Sequence, residues 1–194
     1  MRIFLAGATG VIGTRMLPLL IGAGHEVAGL TRSPAKAAAL ATTGAQPVVV
    51  DVYDAAALTA AVTGFAPELV MHQLTDLPDD VADLANSGAA NARIRSEGTA
   101  NLLAAAAAAG ANRFLAQSIA WQPPAGRGAV IAAHESAVLN ALGVVLRYGQ
   151  FYGPGTYYAD TPPGHPRIHV DAAAARTVEL LDAPTGTVVI AEPA

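Results

Sequence analysis

Short apolar runs alternate along this chain with longer segments whose apolar residues recur at helical spacing. The runs predict strands at residues 2–6, 26–31, 47–51, 68–73, 113–118, 144–148 and 187–191. Several of them, such as the VVL sequence at 144–146, contain no polar position, which is typical of strands covered on both faces. The intervening segments predict helices at residues 11–23, 34–43, 54–62, 79–109, 129–142 and 171–181.

This alternation predicts the fold class. Repeated strand–helix–strand units build a parallel sheet through right-handed crossovers, so we expect an α/β fold with a doubly wound parallel sheet flanked by helices. Residues 149–167 hold four of the 13 prolines and four glycines, and they predict a loop. A chain of 194 residues suits one domain, with a core at 1–148 and a smaller remainder at 149–194.

A glycine-spaced turn follows the first strand directly. In a strand–turn–helix unit the unpaired N–H groups and the helix dipole attract anions, and glycine lets the backbone approach a pyrophosphate closely. The turn therefore predicts a dinucleotide cofactor, and a simple tight turn between strand and helix is the alternative. The residues expected to bind the cofactor here are Gly7, Thr9, Gly10, Val11, Ile12 and Gly13.

The end of the second strand bears on which nicotinamide cofactor binds. A carboxylate there would suit the ribose hydroxyls of NAD, but Arg32 stands at the tip instead and suits the 2′-phosphate of NADP. Thr31, Ser33 and Lys36 add hydroxyls and a second cation. NADP is therefore favoured, and NAD stays open. After the third strand, Asp51 either accepts from the adenine amino group or caps the following loop.

Composition excludes several classes of function. A net charge of −4 with 13% charged residues gives no basic surface for nucleic acid or for an anionic membrane. The chain has no cysteine, so disulfides and thiolate metal sites cannot form, and no metal site is expected. No signal segment is recognisable at the N-terminus, and the apolar run at 102–111 is too short to cross a bilayer. We therefore expect a cytoplasmic protein.

Five segments follow one another in the order of known family motifs. They are GATGVIG at 7–13, EGTANLL at 97–103, RFLAQS at 113–118, LRYGQFYGPG at 146–155 and IHVDA at 168–172. The chain resembles the extended or atypical short-chain dehydrogenase/reductases, which include NAD(P)-dependent epimerase/dehydratases and NmrA-like proteins. The resemblance implies a Rossmann-type sheet with a much reduced C-terminal substrate-binding part. It also implies cofactor contacts from Val52, His72, Gln73, Ser118 and Tyr148.

The catalytic pair of that family is missing. Its enzymes use a tyrosine as general acid and base, with a lysine four residues later. The chain has a single lysine, Lys36, and no tyrosine is followed by lysine at that spacing. Alignment of the late helix through Glu135 puts Arg127 and Ile131 in the tyrosine and lysine places. The standard mechanism is therefore not expected.

Ser118, Tyr152 and His72 are the remaining catalytic candidates. Ser118 could donate to a substrate carbonyl or could satisfy backbone groups. His72 could shuttle a proton or be structural, and His134 presents the same choice. Tyr152 could donate its hydroxyl or pack against the cofactor, as could Tyr148 in the same segment.

Three functions stay open at this point. The first is an NADP-dependent oxidoreductase or epimerase/dehydratase-like enzyme that acts on a small carbonyl or sugar-like substrate. The second is a non-catalytic NADP-binding redox sensor or partner-binding module. The third, an accessory subunit with a vestigial turn, is disfavoured by Arg32 and the intact glycines. Trp121, Tyr157 and Tyr158 could form an aromatic substrate wall or cover a dimer contact, and the resemblance leaves a homodimer open.

Overall fold

A computed structural model describes residues 1–78, 80–123 and 125–194 and contains a central parallel sheet with helices on both faces. The strands are β1 (Arg2–Ala6), β2 (Glu26–Thr31), β3 (Gln46–Val49), β4 (Leu69–His72), β5 (Arg113–Ile119), β6 (Val144–Tyr148), β7 (Gln150–Tyr152), β8 (Arg167–His169) and β9 (Gly186–Ile190). The α-helices are α1 (Gly13–Gly22), α2 (Pro34–Thr42), α3 (Ala55–Phe65), α4 (Gly88–Arg93), α5 (Thr99–Ala108), α6 (Gly128–Asn140) and α7 (Val170–Val178).

The main sheet has seven strands in the order β3-β2-β1-β4-β5-β6-β9, all parallel. The order reverses at β1, because β2 lies on one side of it and β4 on the other. Connections therefore leave the carboxyl ends of β1 and β4 toward opposite sides, and this opens a crevice at that edge. The predicted fold class is confirmed.

Alternate residues of β1 enter two separate cores. Ile3 and Leu5 pack into a cluster with α1 and α7, whereas Phe4 and Ala6 pack into a cluster with α3, α5 and α6. All four side chains are 0% exposed. Burial on both faces explains why the strand contains no polar alternation.

The predicted helix at 79–109 is wrong as a single element. Its first residue, Asp79, lies outside the described residues; a 3₁₀ turn (Val81–Asn86), α4, a π-helical turn (Ile94–Gly98) and α5 follow. Side-chain bonds to the backbone favour these breaks, since Asp80 accepts from the Ala82 N–H and the Ser87 hydroxyl donates to the Leu84 carbonyl.

The segment at 149–167 is not wholly loop. Three residues of β7 pair in parallel with three of β8 and form a separate small sheet. Strands this short contain too few positions to display an alternation, so the sequence pattern missed them.

Gly13 and Gly22, at the two ends of α1, predict opposite responses to alanine. A Cβ at Gly13 would lie 2.1 Å from the Gly7 carbonyl oxygen, whereas a Cβ at Gly22 would meet nothing within 4 Å. Gly13→Ala should lower the free energy of unfolding by about 1–3 kcal/mol through overpacking. Gly22→Ala should raise it by about 0.4–1 kcal/mol. Urea unfolding of both variants checks this, and an equal response at the two positions would contradict it.

Candidate functional site

The glycine turn is packed too closely for any side chain. Gly7 has φ +96°, in the left-handed region, and the Gly10 N–H donates to its carbonyl at 3.0 Å. A Cβ on Gly7 would lie 2.7 Å from the backbone of Gln73. Together with the approach of Gly13, these contacts form a cradle of bare backbone at the carboxyl end of β1.

The start of α1 faces this cradle without a side-chain cap. The side chain of the N-cap residue, Ile12, has no acceptor for the first N–H groups, although its carbonyl accepts from the Arg15 N–H. Neighbouring Val11 is 40% exposed. Beneath the turn, Gln73 is 6% exposed and its side-chain amide lies near the Tyr148 hydroxyl. Neither polar atom of that amide makes a hydrogen bond of normal geometry with a described residue. A cradle that only glycine fits and an unsatisfied amide beside it suit a polar ligand.

The end of β2 has two exposed cations, Arg32 and Lys36, beside the buried Thr31 and the partly exposed Ser33. The Arg32 side chain is 69% exposed and lies 3.3 Å from the Asp76 carboxylate. Thr31 accepts from the Ser33 N–H, and Ser33 accepts from the Lys36 N–H. A cavity of ≈ 230 Å³ separates the glycine turn from α2, and its lining residues are Thr9, Thr14, Leu17, Lys36, Ala39, Leu40 and Thr43.

Asp51 and Val52, in the segment that follows β3, have partners in the protein. Asp51 accepts from the Tyr53 N–H at 3.0 Å, which corresponds to the loop cap among its two predicted roles. The Val52 side chain is 7% exposed in the core, and its carbonyl accepts from the Asn101 amide at 3.0 Å. Both residues lie at the carboxyl edge of the sheet, and their contact with a cofactor stays a prediction.

His72 and His134 belong to one buried hydrogen-bonded chain. The His134 Nε2 bonds the Gln117 carbonyl at 3.0 Å, so it carries the proton and leaves Nδ1 to accept from Thr99 at 2.8 Å. The His72 Nε2 then donates to the Thr99 hydroxyl at 3.1 Å, and its Nδ1 accepts from the Leu74 N–H. Each ring nitrogen is thus satisfied within the protein.

Burial and charge hold both rings neutral. Burial lowers the pKa of His72 well below its usual value, with further effects from His134 and Arg95. Burial also lowers the pKa of His134, again with Arg95 contributing. A proton-shuttle role for His72 stays a prediction, and its 0% exposure gives it no access to solvent in this structure.

Ser118 lies in a second buried cluster, at the carboxyl end of β5. Its hydroxyl donates to Glu135 at 2.6 Å, and Arg147 binds both oxygens of the same carboxylate at 2.9 and 2.5 Å. Burial opposes ionisation of Glu135, but the hydrogen bonds from Arg147 and Ser118 outweigh it and lower the pKa. Ser118 is therefore paired with a carboxylate that the sequence analysis did not connect to it.

The two candidate tyrosines differ in environment. Tyr148 is 2% exposed in the core, and its hydroxyl bonds Thr177 at 2.8 Å. Burial raises its pKa. Tyr152 on β7 is partly exposed and donates to Glu192 at 2.5 Å, a bond that raises the pKa of the tyrosine. Both hydroxyls are thus protonated at neutral pH.

Arg15 ties the C-terminal segment to the glycine turn. From α1 it donates to the carbonyls of Val11 and Pro154 and pairs with Asp171 at 2.8 Å. The cap of the helix that contains Asp171 is His169, which accepts from the Asp171 N–H. Arg15 thus holds the loop after β7 beside the cradle.

Two residues of the predicted aromatic wall make hydrogen bonds to other segments of the chain. Tyr157 donates to the Pro78 carbonyl, and Tyr158 donates to Gln150 at 3.4 Å. Tyr157, Thr156, Asp80 and Val81 line an open cavity of ≈ 470 Å³ between the loops after β4 and β7. This cavity lies on the same side of the sheet as the predicted cofactor site.

Two buried or half-buried arginines were missed by sequence reasoning. Arg147 interrupts the apolar run of β6. A cation within a core strand indicates a nearby acidic partner, so the sequence did contain a signal for this residue. Arg95 lies on the π-helical turn at 5% exposure. Its burial depends on the packing of α6 and the π turn, and no local pattern reports it.

Two kinds of site are absent from the described ranges. Among residues 1–78, 80–123 and 125–194, no three histidine, aspartate or glutamate side chains are grouped to hold a metal ion. No helix in those ranges has the length and apolarity that a membrane span requires.

Comparison with known proteins places the chain in a nucleotide-binding family, as the glycine cradle predicts. Residues 7–128 match the model of a family described as NAD(P)H-binding. The 3-diazoavenalumate denitrifying reductase of Streptomyces sp is 40% identical over 183 residues, 82% of this chain. The chain spans 59% of that reductase's length.

Solved structures share the fold at low identity. UDP-glucose 4-epimerase of Thermus thermophilus, in complex with NAD, superposes with a TM-score of 0.79 at 21% identity, over 98% of this chain and 78% of that one. The Thermotoga maritima UDP-glucose 4-epimerase with UDP-glucose gives 0.81 at 17% identity, over 98% and 77%.

The buried histidines predict a loss of stability in mild acid. Both folded-state pKa values lie below the ordinary 6.5, so the unfolded chain binds more protons as pH falls below that value. Each histidine should lower the free energy of unfolding by at most about 1.4 kcal/mol per pH unit in that window. Urea unfolding at about pH 7.5 and about pH 5.5 measures this above the range where most carboxyl groups titrate.

Matched variants identify the source of that pH dependence. His134→Gln should reduce the slope, whereas His165→Asn, at an exposed loop position, should retain it. Equal stability of the wild-type protein at the two pH values would contradict the prediction.

Proposed function

The chain belongs to the NAD(P)H-binding family within the short-chain dehydrogenase/reductases, and on this premise we propose that it is an NADP-dependent reductase of a small organic substrate. The observation that carries the proposal is the glycine cradle at the open start of α1. A pyrophosphate would lie against the cradle, where the N–H groups and the helix dipole favour negative charge. Gln73 would supply an amide to the cofactor beneath it.

The preference for NADP rests on the end of β2. Arg32 and Lys36 are exposed cations, and Lys36 lines the same cavity as Thr9 and Thr14. A 2′-phosphate would be attracted by both cations. Asp76 now pairs with Arg32 at 3.3 Å, so the phosphate would replace that carboxylate as the partner of the guanidinium. A surface ion pair of this kind contributes at most about 1 kcal/mol and would exchange readily.

The Arg32 assignment predicts a cofactor-selective effect. Arg32→Ala should weaken NADPH binding by roughly 10- to 100-fold, because a charge-assisted hydrogen bond contributes about 1.5–3 kcal/mol. NADH binding should change little, since NADH has no 2′-phosphate. Calorimetric titration with both cofactors measures this. The control is Arg113→Ala, at the amino-terminal end of β5 and thus at the end of the sheet opposite to the predicted cofactor site.

Two results would count against this assignment. An equal loss of NADPH and NADH binding in Arg32→Ala would remove Arg32 from the phosphate site. Equal weak binding of both cofactors by the wild-type protein would remove the NADP preference altogether.

The reaction would use side chains other than a tyrosine–lysine pair. When bound, the reduced nicotinamide supplies a hydride, and the protein must then provide or admit one proton. Tyr152 carries its proton at neutral pH and is partly exposed, so we assign it the donor role. Ser118 would orient a substrate acceptor group, with its hydroxyl held by Glu135. The printed name of the similar Streptomyces reductase specifies a diazo compound, so we include diazo groups beside carbonyl and enone groups among the substrates that we propose for this chain.

A non-catalytic role is the second candidate, and a specific observation favours it. Ser118, Tyr152 and His72 all make hydrogen bonds inside the protein, which is the pattern of a structural polar network. A redox sensor would need only the cradle and a segment that responds to the cofactor. The loop that Arg15 holds against the glycine turn is such a segment.

Turnover separates the two candidates. The reductase proposal predicts NADPH oxidation, followed at its absorbance, with at least one member of a panel of carbonyl, enone and diazo compounds. Ser118→Ala and Tyr152→Phe should slow it at least tenfold, in line with lost acid catalysis or orientation. Ser96→Ala, at an exposed helical position, should not. Tight NADPH binding without turnover of any compound would favour the sensor.

A further inference from the structure

Arg95 is a buried cation without an ion-pair partner among the described residues. Its side chain is 5% exposed, and its Nη1 atom is buried with no hydrogen bond. Arginine stays protonated in proteins, so this charge persists inside the fold. An unpaired buried charge costs free energy, which suggests that a group from outside the chain completes it.

The neighbouring carboxylate is already used. Glu135 is the acidic group whose charge acts on Arg95, but its oxygens bind Ser118 and Arg147. The nearby His72 and His134 are neutral, because burial lowers the pKa of each. The cluster therefore contains two guanidinium groups, those of Arg95 and Arg147, and one carboxylate, that of Glu135. One positive charge remains uncompensated.

Arg95 lies at an irregular point of its helical segment and is buried, whereas its neighbours Arg93 and Glu97 are at the surface. It lies in the π-helical turn Ile94–Gly98, whereas Arg93 and Glu97 pair with each other at the surface at 2.6 Å. Turns of this kind interrupt the regular helical spacing and are frequent at functional sites. The turn thus separates one interior arginine from a solvated pair on the same helix.

The cluster lies at the functional edge of the sheet. His72 ends β4, and Ser118 is the penultimate residue of β5, so their groups meet where the carboxyl ends of neighbouring parallel strands lie side by side. The Arg147 side chain, which binds Glu135 in this cluster, is 43% exposed. The cofactor cradle lies at the carboxyl end of β1, the strand next to β4.

We propose that Arg95 is the binding residue for a carboxylate group of the substrate, an assignment that rests on the proposed reductase function. The planar guanidinium fork suits the two oxygens of a carboxylate. One negative charge would neutralise the single uncompensated positive charge of the cluster. A phosphate dianion would bring one negative charge too many and would cost more free energy to desolvate. The substrate class is accordingly a small organic acid.

Binding of a matched pair of probes tests the assignment. Calorimetric titration of the NADPH-loaded protein should show benzoate binding at least tenfold tighter than neutral benzamide, as a charge-assisted hydrogen bond implies. R95M should abolish this preference and leave NADPH affinity unchanged. R93M removes an arginine two residues away on the surface and should retain the preference.

The result that would overturn the proposal is an unchanged preference in R95M, or no preference in the wild-type protein. Competition between NADPH and benzoate would instead assign Arg95 to a cofactor phosphate and equally overturn it. R95M should melt no lower than the wild-type protein, because it removes an unpaired buried charge. Failure of R95M to fold would show a structural role. If the wild-type protein binds no NADPH, the proposed function fails. The same benzoate and benzamide titrations, done without cofactor, then still test whether Arg95 binds a carboxylate.

Discussion

The close packing of the glycine turn against α1 and the end of β4 is the constraint on which the site depends. Gly13 has room for no side chain beside the Gly7 carbonyl, and Gly7 has none beside Gln73. These contacts bring the start of α1 to the point where the strand order reverses. A helix held at that distance has its N-terminal end at the crevice, and this is where we propose that the pyrophosphate of the cofactor binds.

A layer of polar side chains under α5 and α6 has a different character. Thr99 links two neutral histidines, and Glu135 links Ser118 to Arg147. Nearly every donor and acceptor has a partner, which gives the layer one defined arrangement of protons. Chemistry at this edge would therefore depend on displacing an internal partner, and the reductase and sensor proposals differ in whether a substrate does so.

The C-terminal part of the chain is short but attached to the site. The small sheet of β7 and β8 follows β6 directly, and Arg15 holds the next loop beside the glycine turn. The open cavity beside Tyr157 lies between that loop and the one after β4. Loops thus form the cover over the carboxyl ends of the strands, where we propose that the cofactor binds.

The sequence by itself determined the order of helices and strands, the parallel sheet and the glycine turn, because apolar runs and turn glycines are local signals. It failed at the helix after β4 and at β7 and β8, where side-chain caps and very short strands left no periodic pattern. Only the tertiary structure decided the partners of Ser118 and the burial of Arg95. Those contacts join residues far apart in the chain, and no local spacing encodes which side chains meet when the helices pack.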